Sequence, residues 1–324
     1  MLHPKVLAIG VLMFSISWSG CTPAGEMQSQ SVQQEQPDVQ TRHCQFLRAG
    51  EIEAIIGDGA GHRTRPGIWA MSSIRHHFSI FKNMSSGMLY GDLRGKANTV
   101  LEYVDDSTCV LKREPTDNYP VRVRAQFRAV SPYYLDCELT VNDVVDRIAD
   151  EPWDFRSVSV NCYANSPDDI RIHYLSGGEW ERYIPPVHGA PGTAIAPSYT
   201  DEIEEWPDYE DPPFNWGKWY EKSFDEPFFY GRYQHMVLIL VFDKPDMIRF
   251  YDSPTGGGKS LLPGNTSPAW DFEWNILGKN YQAGRDYTFR TRMIYKQFVS
   301  DEDVLLEVRK AQQDLGFETV KSAR

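Results

Sequence analysis

Between Pro120 and Val130 apolar and polar side chains alternate without a fault. Val121, Val123, Ala125, Phe127 and Ala129 fall on one side of an extended chain, and Arg122, Arg124, Gln126 and Arg128 on the other. A helix would scatter both sets around its axis, whereas a half-buried antiparallel strand sorts them cleanly. Ser131-Pro132 interrupts the pattern, and Tyr133, Leu135, Cys137, Leu139 and Val141 resume it. Val158, Val160, Cys162 and Ala164 repeat it once more, while Met236–Phe242 is apolar throughout and predicts a strand covered on both faces. Further strands are expected over His77–Lys82, Thr99–Val104, Thr108–Arg113, Ile170–Leu175, Met247–Tyr251, Ala269–Ile276 and Asp286–Lys296.

One helix is expected, over Asp301–Asp314. Ser300 is its N-cap, Asp303 stands at the capping-box position, and Val304, Leu305, Val308 and Leu315 form its apolar stripe. The predicted fold class is therefore all-β and mainly antiparallel: a large β-sandwich or supersandwich, or a barrel-like relative, with a C-terminal helix packed on a sheet. Nothing between residues 43 and 324 breaks the composition, so this stretch reads as a single β-rich domain. Its least regular part, Gly177–Tyr230, is rich in Pro, acid and aromatics, and long irregular segments of that kind usually carry function.

The first forty residues predict an address. Lys5 supplies a positive start, and Val6–Trp18 is apolar but too short to span a bilayer, as in a signal peptide over residues 1–20. Ser19-Gly20-Cys21 resembles the lipobox of bacterial lipoproteins, with Cys21 as the lipidated residue, although Trp18 stands where that pattern prefers an aliphatic side chain. The alternative is ordinary cleavage nearby and secretion. Residues 21–42 then form a Gln/Ser-rich tether. The expected location is the bacterial cell envelope, facing the periplasm or exterior, with membrane contact through the lipid only. Cys44, Cys109, Cys137 and Cys162 remain in the body; they allow three pairings or stay as buried thiols. A net charge of −12 and the lack of any basic stripe argue against nucleic acid as a partner.

Chemistry is most concentrated at Ala269–Ile276. Trp270, Phe272, Trp274 and Ile276 point one way, and Asp271, Glu273 and Asn275 the other. Carboxylates two apart on a strand sit roughly 6.6 Å apart along its axis, so they share one surface that can orient sugar hydroxyls, and one of them can serve as a general base. The competing reading is structural: a hairpin pairing Trp274 with Phe289 would place Glu273 against Arg290 and Asp271 against Arg292. Ser253–Ser260 fails as a phosphate loop, because Ser253 stands where the first glycine belongs and no helix follows. His173, out of phase with Ile172 and Tyr174, and His188, at the entrance to the irregular stretch, are the histidines to test. Trp216 and Trp219 offer flat platforms for a pyranose, and the acids Asp201–Asp211 could hold calcium, although the EF-hand spacing is absent. No other cofactor is expected, and no metal site.

The segments Cys162–Pro167, Ser253–Gly258, Pro268–Trp274 and Tyr295–Val299 resemble a group of bacterial secreted proteins, and the layout from about residue 44 to 315 is similar to the galactose mutarotase-like supersandwich. That resemblance implies a carbohydrate site on a concave face, worked by a glutamate and a histidine. Glu273 and His173 would be the catalytic pair, with Asp271, His188 and Arg290 binding substrate. The function expected is that of an extracytoplasmic carbohydrate-active protein with epimerase-like or lyase-like acid/base chemistry; the alternative is a non-catalytic glycan-binding envelope lipoprotein.

Overall fold

The computed structural model describes residues 43–60, 65–82, 87–93, 99–149, 151, 154–203, 219–255 and 267–320. Cys21, the tether, Trp216 and the glycine run 256–258 lie outside these residues.

Seventeen strands build two antiparallel sheets. The first sheet has eight: β1 (Cys44–Ala49), β2 (Ile52–Gly57), β3 (Gly67–Ser73), β4 (Met88–Tyr90), β9 (Phe155–Cys162), β16 (Ala269–Leu277), β15 (Ile248–Ser253) and β12 (Ala194–Ile195), in that spatial order. The second has nine, in the order β11 (Glu179–Tyr183), β10 (Asp169–Ser176), β13 (Phe228–Tyr233), β14 (Met236–Phe242), β17 (Tyr287–Gln297), β8 (Tyr134–Asp143), β7 (Val121–Val130), β6 (Thr108–Arg113) and β5 (Thr99–Asp105). The irregular stretch is thus partly strand, since β11, β12 and the start of β13 lie in it. His77–Lys82, in contrast, carries only an isolated bridge from Phe81 to Ala164.

The alternation seen in the sequence sorts side chains as expected. Val121, Val123, Ala125, Phe127 and Ala129 of β7 join Leu135, Cys137, Leu139 and Val141 of β8 in the core between the sheets. β14 divides its apolar run: Met236, Leu238, Leu240 and Phe242 face that core, while Val237, Ile239 and Val241 face outward beneath the helix. A belt of aromatics joins the layers. Phe242 lies 4.6 Å from Phe272, and Trp274 stacks on Phe289 at 4.9 Å and 23°. Two buried indoles also spend their N–H groups across the gap, Trp270 on the Ile170 carbonyl at 2.8 Å and Trp274 on that of Asp243 at 3.2 Å. Trp270 needs the bare backbone of Gly231, where a Cβ would lie 2.2 Å from the indole. The four body cysteines are free thiols, three of them buried.

The stacking of Trp274 on Phe289 corrects the hairpin reading. β16 and β17 do not pair. The chain leaves β16 through a 3-10 turn at Gly278–Asn280 and crosses to the other sheet, so the two rings meet face to face across the core instead of side by side. The basic stripe of β17 therefore turns away from β16 and meets the helix α1 (Asp301–Leu315). Arg292 binds Asp136 at 2.6 Å and Asp314 at 3.2 Å, and Lys296 binds Asp303 at 2.9 Å and Glu307 at 3.1 Å. Arg290 pairs with Asp243 and donates to the Leu315 carbonyl at 2.8 Å, a favourable place for a cation at a helix C-terminus. Ser300 caps α1 by accepting from the Asp303 amide, and Gly316 ends it in the left-handed region. Val304, Val308 and Ala311 seal the apolar contact with β14.

Candidate functional site

The polar face of β16 looks outward from the first sheet, away from α1. Glu273 is 7% exposed and accepts from Ser157 Oγ at 2.7 Å. Asp271 accepts from Asn161 Nδ2 at 2.6 Å and from the Cys162 amide at 2.8 Å. Both sets of partners come from β9, whose Ser157, Ser159 and Asn161 alternate with the core residues Val158 and Val160. Asn275 completes the row at 2% exposure; among the described residues neither Oδ1 nor Nδ2 has a hydrogen-bond partner.

On the opposite flank, β15 sets Arg249 in register with Glu273, Tyr251 with Asp271 and Ser253 with Ala269. Arg249 is fully buried and donates to the carbonyls of Asp246, Ile248 and Glu202. Ser253 meets His188 Nδ1 at 2.8 Å. Burial lowers the pKa of His188, so its imidazole is neutral at pH 7 and can either give or take a proton. Trp219 bridges to Ala194 of β12 and places its ring 6.4 Å from that of Tyr251. Asp271, Glu273, His188 and Trp219 thus belong to one face of three adjoining strands, with the Ser253 that holds His188 two positions in register from Asp271 and four, about 13 Å, from Glu273.

The remaining expected residues are not. His173 lies on β10 of the second sheet, in register with Tyr230, and stacks on that ring at 4.5 Å and 25°. Burial pulls its pKa down to about 4 against the nearby carboxylate of Asp169, so the ring is neutral packing beneath the start of α1. Its out-of-phase position does turn it away from the core, but toward the wrong side of the sandwich to meet Glu273. Arg290 belongs to the same far side. It is held by Asp243, whose carboxyl burial lifts to about 6 despite the guanidinium. Arg249, Tyr251, Ser253, Ser157 and Asn161 were not singled out in the sequence. The available signal was the polar alternation of β15 and β9 flanking β16, which becomes informative only once those strands are known to be its neighbours.

Among the described residues no group of three or more His, Cys, Asp or Glu is placed to hold a metal ion. The donors on the face of β16 are carboxylates, hydroxyls and amides, which suit a ligand rich in hydroxyl groups.

No protein-family model matches the chain, and no curated protein matches it. Several solved structures are similar in fold. A candidate aldose 1-epimerase from Escherichia coli K12 aligns over 79% of this chain and 99% of its own, with a TM-score of 0.47 and 10% identity. An aldose epimerase homologue from C. elegans aligns over 79% of this chain and 100% of its own, with a TM-score of 0.40 and 6% identity. The heparan sulfate lyase HepC of Pedobacter heparinus aligns over 77% of this chain and 34% of its own, with a TM-score of 0.39 and 8% identity.

Proposed function

We propose that the outward face of β16, flanked by β9 and β15, binds a sugar and performs acid/base chemistry on it, epimerase-like or lyase-like. The observation that supports this most is the single-sided row Asp271, Glu273 and Asn275, supported from β9 and completed on the other flank by the neutral His188 held on Ser253. A carboxylate and a neutral imidazole on one face supply a proton acceptor and a proton donor at neutral pH. In this reading Asp271, less buried than Glu273 and nearer in register to Ser253, is the base, and His188 replaces His173 as its partner; Glu273 and Asn275 lie buried within the row, and Trp219 with Tyr251 offers the ring platform.

The test is anomer exchange of reducing sugars by NMR, and unsaturated-product absorbance on polysaccharides. Loss of a positioned base or acid costs about 10²–10⁴-fold in rate, so Asp271→Asn and His188→Ala should each fall in that range. Turnover retained in both variants would remove the assignment. Binding on a glycan array without turnover in wild type would favour the glycan-binding alternative. The envelope address rests on residues 1–21 of the sequence, and palmitate labelling of wild type but not of Cys21→Ala checks it.

A further inference from the structure

A second cleft opens where the chain crosses between the sheets. A cleft of about 660 Å3 lies beyond the end of β16, within the size range of ligand pockets. Lys244, Lys279 and Arg285 line it together with Tyr281 and Tyr287. Three cations gathered in one cleft stand out in a chain of net charge −12. Two of them rest on exposed acids, Lys244 on Glu318 and Lys279 on Glu202, and exposed pairs of this kind cost little to exchange for a better partner. Arg285 lies against the Tyr287 ring, 5.3 Å from its centroid. Among the described residues the one acid lining the cleft, Asp286, already accepts from Asn142 Nδ2 at 2.6 Å.

Two observations beyond charge point to use. Lys244 is held at φ +54°, a left-handed conformation that glycine or asparagine adopts at lower cost. A lysine kept there puts its ammonium at the cleft at the expense of backbone strain, and strain of this kind gathers at functional positions. The rings of Tyr281 and Tyr287 run parallel, within 9° at 6.2 Å, and give the cleft an apolar surface beside its cations. Cations next to flat aromatic surface match a sugar ring that carries a carboxylate or sulfate.

We propose that this cleft binds an acidic sugar residue, independently of the face of β16. The experiment is calorimetric titration of the full chain with trigalacturonate, with neutral maltotriose and with inorganic sulfate. Trigalacturonate should bind, more weakly as salt rises, and maltotriose should bind at least about tenfold more weakly. Lys279→Ala and Arg285→Ala should each weaken the acidic ligand about tenfold. Lys244→Gly should weaken it similarly while its melting temperature holds or rises, because the strain is relieved. Glu273→Gln should leave this binding unchanged. Equal affinity for maltotriose, sulfate binding as tightly as trigalacturonate, unaltered binding in the Lys279/Arg285 double variant, or loss of binding in Glu273→Gln would each overturn the proposal.

Discussion

Asn275→Leu should make the protein more stable. The amide is 2% exposed, and among the described residues both of its polar atoms lack a hydrogen-bond partner. A buried polar group left unsatisfied costs about 1–3 kcal/mol, whereas an apolar side chain of the same shape removes the penalty. Leucine has the branching of asparagine but bulkier methyl ends, and repacking around them takes back part of that gain. The expected net gain is about 1 kcal/mol; at about 2–4 °C per kcal/mol for a chain of this size, the melting midpoint rises by a few degrees. Asn275→Asp is the counterpart. It sets a carboxylate in the same burial beside Glu273, and should destabilise increasingly as pH rises above about 4. Urea denaturation at neutral pH reads both variants, with sugar binding measured alongside. A fall in stability for Asn275→Leu would mean that the amide is satisfied in the folded protein or that the site cannot hold the larger side chain, and the reasoning from an unsatisfied amide would be lost.

Three further outcomes follow from the packing. Gly231→Ala drives a methyl into the buried Trp270 ring, which is tied by its N–H to Ile170; overpacking should cost about 1–3 kcal/mol, and Trp270→Leu in the same chain should recover part of it in a double-mutant cycle. Asp252 is 1% exposed, and burial, with Asp271 nearby, raises its pKa well above the usual carboxylate range. The folded chain then keeps a proton that the unfolded chain releases, so stability falls as pH rises above about 3.8, at up to about 1.4 kcal/mol per pH unit; Asp252→Asn should flatten that decline in denaturation curves taken from pH 4 to 7. Arg292→Leu strips the 3%-exposed guanidinium from Asp136, which keeps Arg128, and from the partly exposed Asp314, and should cost about 1.5–3 kcal/mol by the same assay, whereas no measurable effect would show that the ladder beneath α1 contributes little.

The two-residue period carries its information well where one face is dry. It placed β7, β8, β9 and β16 and sorted their side chains, and the capping pattern at Ser300 located α1 to within one residue of its end. β1, β2, β3, β4, β11, β12 and β13 are less legible, because they are short or mix glycine, polar or charged residues with the apolar ones. Partnership is a different matter. Nothing local in Asp286–Lys296 tells whether it folds back beside β16 or crosses the core, and that choice decided whether Arg290 belongs to the site. His173 shows the same limit: phase reveals that it leaves the core, but not which of the two outer faces it joins. Asp271, Glu273 and His188 were legible individually, and only the order of strands in the sheet brings them together.

The ladder under α1 works like the teeth of a key. Arg292 and Lys296 of β17 stand four residues and roughly 13 Å apart, while their acids on the helix sit at 314 and at 303 and 307. The two spacings coincide in a single alignment. Adding one residue between Gln297 and Asp301 would turn the helix by about 100° and bring Val304 and Val308 round toward the ammonium and guanidinium groups. That three-residue connection should therefore tolerate substitution but not a change of length.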